Sequence, residues 1–226
     1  MSYILTGQSE EALEKLSTAI ELRKNEPKFY NYKALALYMI GQYEQSLFAF
    51  EEALKLYESK NSKEPEVGEC WFNLGNALLN LNREEEALDC FVKTLDFDIE
   101  KKVQIKVQYA EGRALEYKKK AEAIDKFQSC LELIGNNKSH ELYLSSFYHL
   151  ASNQQLHKLY PDAIDSLTQI IDTECNDKCV FEERGKAYLF NEDYSEALRD
   201  FEMVASFDTN YPDIYYYKGK AKAQLG

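Results

Sequence analysis

Apolar side chains recur along this chain at steps of three and four residues, in runs of about a dozen, separated by short polar stretches. That period places one apolar stripe on each of a series of helices. The runs are also copies of one another. Written against Ala87-Leu88-Asp89-Cys90-Phe91, the same unit returns as Ala12-x3-Leu16, Ser46-x3-Phe50, Ala123-x3-Phe127, Ala163-x3-Leu167 and Ala197-x3-Phe201. Three residues beyond the apolar member stand Ala19, Ala53, Thr94, Cys130, Ile170 and Val204. The small anchors follow one another at intervals of 34, 41, 36, 40 and 34 residues, a base period of 34 with insertions of 7, 2 and 6. A second small residue precedes each anchor: Ala34, Gly75, Ala151 and Gly185 lie 12 residues ahead, and Gly112 lies 11 ahead of Ala123. Four residues before these come aromatics, at Tyr30, Trp71, Phe147, Phe181 and, before Gly219, Tyr215. In the third unit that place falls to Gln108, with Tyr109 beside it.

Each unit therefore predicts two amphipathic helices joined by a short turn. Antiparallel helices approach closely only where a side chain is nearly absent, so Gly or Ala on one is expected opposite Ala on the other. The aromatics then fill the space between successive pairs. One pair cannot bury its own stripe, but a stack of pairs can. Turn chemistry agrees. Pro27, Pro65, Pro161 and Pro212 all sit near expected helix starts, where a missing N–H is tolerated. The charged and Asn-rich stretches 59–66 and 135–141 hold two of the insertions and read as solvated loops.

The units resemble the tetratricopeptide repeat family. The resemblance rests on Trp71-x2-Leu74-Gly75-x2-Leu78…Ala87-x3-Phe91 and on Phe181-x2-Arg184-Gly185-x2-Tyr188…Ala197-x3-Phe201, and it runs from Gly7 to Gly226. It implies an all-α fold, a right-handed superhelical solenoid of stacked antiparallel helix hairpins. The single array over 1–226 then divides into a partial first repeat at 1–25, repeats at 27–60, 66–99, 101–135, 140–174 and 177–209, and a terminal helix at 212–226. Lys33 and Arg184 depart from the pattern, standing where the family places Leu, and the Pro usual at the end of the second helix is replaced throughout. Gly7 falls in the turn position that Gly41 takes one unit later, so the first helix of the opening unit is expected to be reduced to Ser2–Leu5, with Leu13, Leu16 and Ile20 on the inner face of the second. Gly226 falls in a turn position too. The expected reading is a segment of a longer array, or ends covered by neighbouring repeats or partner subunits, with Lys218 and Lys222 favouring a cap at the last helix.

Composition narrows the partners. The 226 residues carry 27 basic and 39 acidic side chains, a net charge of −12. Phosphate backbones are gripped chiefly by Lys and Arg, so nucleic acid and acidic membrane surfaces are disfavoured as partners, and a protein or peptide of basic character is favoured. No apolar run approaches the ~18–20 residues of a membrane span, so no membrane insertion is expected, and the first seven residues lack the basic start and apolar stretch of a signal peptide. Five cysteines, an odd number in a chain this large, point to a reducing, cytoplasmic setting. Cys175 and Cys179 read as ordinary thiols at a loop–helix junction, since no His or second Cys pair accompanies them as metal ligands. The glycosylation sequon Asn137-Lys138-Ser139 reads as silent. No cofactor or metal is expected. No phosphate loop, His-Glu-x-x-His or Gly-x-Ser-x-Gly occurs. His140, His149 and His157 make no catalytic set, and the Glu51-Glu52 and Glu84-Glu85-Glu86 runs suit outer faces and first helical turns. No enzyme activity is expected.

The family resemblance implies that a partner lies along the concave face lined by the first helix of each pair. The side chains there are those three and two before the small residue and one after it. The candidates are Tyr32, Phe72, Asn73, Asn76, Tyr109, Arg113, Tyr148, His149, Lys186, Tyr216 and Tyr217, with Asn31, Leu35, Ala110, Ser152, Glu182, Glu183 and Lys220 in the same positions. An Asn amide both donates to and accepts from a peptide unit. Tyr offers rigid apolar area with a polar tip. Arg113 and Lys186 are placed to pair an acidic group. The family's carboxylate clamp is absent: Asn76 matches its first Asn, but Phe72 stands for the Lys, Ala110 for the second Asn, and Ser145 and His149 for the third pair. The function implied is an interaction scaffold holding a peptide or helix of a partner within a larger assembly. The alternative is a substrate-recruiting arm of a larger enzyme, and the charge argues against a helical-repeat RNA binder.

Overall fold

The computed structural model describes residues 2–118, 121–173, 177–207 and 210–226, with the side chains of 2–9 and 117 outside that description. The described residues form twelve helices and no strand, in two compact units, 1–117 and 118–226. The expected repeat 101–135 gives its first helix to one unit and its second to the other.

The first unit runs α1 (Ser2–Leu22), α2 (Pro27–Met39), α3 (Tyr43–Ser59), α4 (Pro65–Asn80), α5 (Glu84–Thr94) and α6 (Lys101–Tyr117), and each helix packs on the next. Pro27 and Pro65 open α2 and α4, where the fixed proline φ suits the first helical residue. The stripes converge on a core that includes Phe50, Ala53, Cys70, Ala87, Phe91 and Val107. The reason for the small residues is sharper than expected. A Cβ on Gly75 would lie 2.5 Å from Cε1 of Phe91. The absent side chain of α4 makes room for an aromatic ring of α5, where the sequence suggested an alanine.

Four of the helix turns share one backbone requirement. Gly41, between α2 and α3, has φ +79°, and the matching positions Asn82, Lys158 and Glu192 also have positive φ, at 56°, 62° and 68°. Only the first of these turns uses the residue that adopts this conformation without strain. Gly7 departs from the expected turn, because α1 is helical from Ser2 through Leu22. A glycine inside a helix costs only about 1 kcal/mol, and four residues ahead of it form too short a helix to repay a hairpin. Leu13, Leu16 and Ile20 of α1 are half-buried, as their spacing predicts.

The second unit runs α7 (Glu122–Ile134), α8 (Tyr143–Leu156), α9 (Tyr160–Ile171), α10 (Lys178–Phe190), α11 (Tyr194–Phe207) and α12 (Pro212–Leu225), again packed in sequence order. Gly185 repeats the Gly75 arrangement, its absent Cβ falling 2.6 Å from Cε1 of Phe201. Arg184, standing in a leucine position, is accommodated by charge. Its Nε and Nη2 each donate to Asp200 of α11 at 2.8 Å, and Nη1 donates to Thr168 Oγ1 of α9 at 3.1 Å. Its guanidinium also lies over the rings of Phe181 and Tyr188. One side chain thus ties three helices together. Burial works against its charge, the Asp200 carboxylate more than offsets that, and the arginine holds its proton more firmly than usual.

Cys70, Cys90 and Cys130 are buried and unoxidised, and Cys179 is exposed; Cys175 lies outside the described residues. Burial pushes the Cys70 thiol up to about 12 and that of Cys90 to about 11. These are core side chains, held away from the reactive thiolate form. Among the described residues no group of three or more His, Cys, Asp or Glu converges as metal ligands would, and no helix is long and apolar enough to cross a membrane.

Candidate functional site

In the first unit the first helices α2, α4 and α6 lie side by side, α2 touching α4 and α4 touching α6. Three of the sequence-predicted residues meet between α4 and α6. Asn76, Tyr109 and Arg113, with Leu79, Asn80 and Ala110, line a hollow of about 210 Å³. The Asn76 amide donates to the Phe72 carbonyl at 3.1 Å, one turn back on the same helix. Asn80 donates to the Asn76 carbonyl at 2.9 Å and to the Tyr38 hydroxyl at 3.1 Å, joining α4 to α2. Arg113 pairs with Glu116 at 3.3 Å. Tyr32 is 57% exposed on α2, and Asn73 is half-buried on α4. The wall therefore mixes amide, phenol and guanidinium groups with apolar floor, which suits a peptide segment.

Packing claims some positions that the sequence assigned to a partner. Phe72 lies against Phe91, ring centroids 5.9 Å apart. Asn31 is buried, and so is Ala110. In the second unit His149 stacks on Phe127 at 5.4 Å and Tyr217 stacks on Phe201 at 5.4 Å. Phe91, Phe127 and Phe201 hold the same position in their repeats, so the same core ring takes up one candidate each time. Tyr148 and Tyr216 remain exposed on α8 and α12.

Lys186 is engaged within its own helix. Its ammonium lies 2.6 Å from Glu182 and 2.9 Å from Glu183, with the Tyr217 ring 5.4 Å away. Burial opposes its charge, but the hydrogen bonds to the two carboxylates outweigh that and hold its pKa above the ordinary lysine range. Glu182, buried, also accepts from the Tyr211 hydroxyl at 3.0 Å. In this network the Lys186 ammonium is paired with two carboxylates of its own helix.

Two participants escaped the sequence reading. Asn80 lies one helical turn beyond Asn76 on the same face, so an i, i+4 search from Asn76 finds it. Tyr38 reaches the site only through the packing of α2 on α4, and no local pattern announces it.

Residues 26–100 match the family model described as tetratricopeptide repeat. That stretch carries tetratricopeptide repeats. A small glutamine-rich tetratricopeptide repeat-containing protein 2 of Mycosarcoma maydis is 30% identical over 87 residues, 38% of this chain and 23% of that protein. A DnaJ homolog subfamily C member 3 of Gallus gallus is 23% identical over 222 residues, 98% of this chain and 37% of that protein. The chain thus spans about a quarter to over a third of the length of these curated relatives. Among solved structures, YrrB, described as a repeat protein with an unusual peptide-binding site, superposes with a TM-score of 0.74 at 19% identity, covering 92% of this chain and 99% of that one. The C-terminal part of a repeat protein from Cytophaga hutchinsonii gives 0.74 at 18% identity, covering 99% and 91%. These likenesses extend the repeat fold well beyond residues 26–100, and such repeats mediate protein–protein interaction.

Proposed function

We propose that this chain is a binding scaffold that holds an extended segment of a partner protein against the first-helix face of its first unit, with no catalysis of its own. The observation that carries the reading is the convergence of Asn76, Asn80, Tyr109 and Arg113 on one hollow of a preformed helical wall. A wall already ordered loses little freedom on association, so a few amide and phenol contacts suffice. The net charge of −12 favours a partner with basic segments. Exposed Tyr32 supplies further contact area on α2 of the same unit. The free thiols of the core suit a reducing, cytoplasmic compartment. The short span relative to the matched relatives suits a module working inside a larger assembly.

The test is site-specific photo-crosslinking. A benzoylphenylalanine at Tyr109 is expected to trap a partner polypeptide, and one at Glu52, on the exposed side of α3, is not. Asn73→Ala with Asn76→Ala should weaken that capture about tenfold or more while far-ultraviolet circular dichroism stays unchanged, a loss of one or two peptide hydrogen bonds. Equal capture from both positions, or loss of helicity in the double variant, defeats the assignment.

A further inference from the structure

The seven-residue insertion does more than lengthen a loop. Lys28 at the start of α2, with Tyr57, Lys60, Ser62 and Lys63 at the end of α3 and beyond it, encloses a cleft of about 400 Å³. None of these residues lines the hollow between α4 and α6.

Tyr57 is 2% exposed, and its buried hydroxyl has no hydrogen-bond partner among the described residues. A buried donor without an acceptor forfeits its bonds to water for nothing in return. Burial, then Cys70 and the carboxylates of Glu66, Glu64 and Glu26, push its pKa far up, so the group remains an O–H donor at neutral pH. Tyr57 itself lines the cleft, beside Glu64 and Glu26. Three lysines line the cleft, against two carboxylates, Glu26 and Glu64. Lys28 pairs with Glu66 at 3.1 Å and Glu64 at 3.7 Å, and Lys60 meets Glu26 only at 3.9 Å. Lys63 is exposed and has no ion pair among the described residues. Helices α2 and α4 both begin at this edge, and neither N-cap glutamate, Glu26 or Glu64, caps its helix through its side chain. Their positive ends are left open to an anion.

We propose that this cleft binds a phosphate group, taking a hydrogen bond from Tyr57 Oη and charge from the ammoniums of Lys60 and Lys63. Exposed ion pairs are weak in water, so Lys60 leaves Glu26 at little cost when a dianion arrives. The insertion then has a use that a plain 34-residue repeat could not supply, since it delivers Lys60, Ser62 and Lys63 to the start of α2.

Amide NMR of the full chain, titrated with sodium phosphate at pH 7.5 against sodium chloride of equal ionic strength, tests this. Saturable shifts confined to 26–28 and 57–64 are expected. Lys63→Gln should weaken the affinity about tenfold, as loss of a charge-assisted bond does. Tyr57→Phe should weaken it by several-fold, and in phosphate-free buffer its thermal midpoint should not fall, because an unsatisfied hydroxyl has been removed. Parallel titrations with O-phosphoserine and with a phosphoserine peptide separate the sources. Saturation by all three supports a site for free or esterified phosphate, and saturation by the peptide alone supports a protein-borne one. Absence of saturable shifts with every probe overturns the proposal. So does unchanged affinity in both variants, which would leave an ordered water as the partner of Tyr57.

Discussion

Gly75, Gly185 and Gly219 occupy one position of the repeat, yet their surroundings differ. The first two have no room for a methyl group against Phe91 and Phe201, whereas a Cβ on Gly219 meets nothing within 4 Å. Substituting alanine should therefore give opposite signs. Gly75→Ala and Gly185→Ala should each lower stability by about 1–3 kcal/mol, the cost of overpacking a rigid core. Gly219→Ala should raise it by roughly 0.5–1 kcal/mol through helix propensity alone. Thermal or urea unfolding of the three variants reads this directly. The thiols make a second residue-scale test. Iodoacetamide at pH 8, followed by peptide mass spectrometry, should label Cys179 while Cys70, Cys90 and Cys130 stay protected, since three are buried and burial holds back their thiolates.

At the scale of helices, two devices govern how neighbours meet. The turn position after α2, α4, α8 and α10 has a positive φ, and Lys158 and Glu192 adopt it at a strain of about 1 kcal/mol. Lys158→Gly and Glu192→Gly should each raise the unfolding midpoint, a gain a turn glycine provides without touching any packed side chain. The other device is the Arg184–Asp200 pair, with side chains only 16% and 7% exposed. Removing one partner strands a buried charge, so Asp200→Ala should cost on the order of 3–5 kcal/mol. Arg184→Leu together with Asp200→Ala should recover much of that loss, because leucine restores the repeat's ordinary apolar contact. A double-mutant cycle by urea unfolding measures the coupling. A loss in the double variant equal to that of Asp200→Ala alone would show that the pair is not the cause.

At the scale of the molecule, each unit is a stack in which stability is shared between neighbours. In the second unit α12 buries only Ile214 and Ala221, whereas α10 buries six residues across its length. Hydrogen exchange should accordingly be fastest in α12 and slowest in α10 and α11, since local opening is easiest where least apolar surface is lost. Protection of α12 equal to that of α10 would contradict this ordering. The charge of −12 acts over the same scale. It should leave the chain unretained on immobilised RNA even at low salt, where phosphate contacts are strongest.

Periodicity alone determined the kind of element, because a stripe every three to four residues can be buried only by a helix, and a 34-residue recurrence only by a stack of like pairs. The small residues announced where helices cross, and Asn76, Tyr109 and Arg113 were legible as one wall because they share a register. What tertiary structure decided was whom each side chain meets. That a ring rather than an alanine fills the gap at Gly75, that Lys186 is neutralised by Glu182 and Glu183, and that Arg184 finds Asp200 all depend on distances between helices. So does the placing of Tyr38 and Tyr57. A linear pattern records the face on which a residue stands, and the space beyond that face exists only once the helices are assembled.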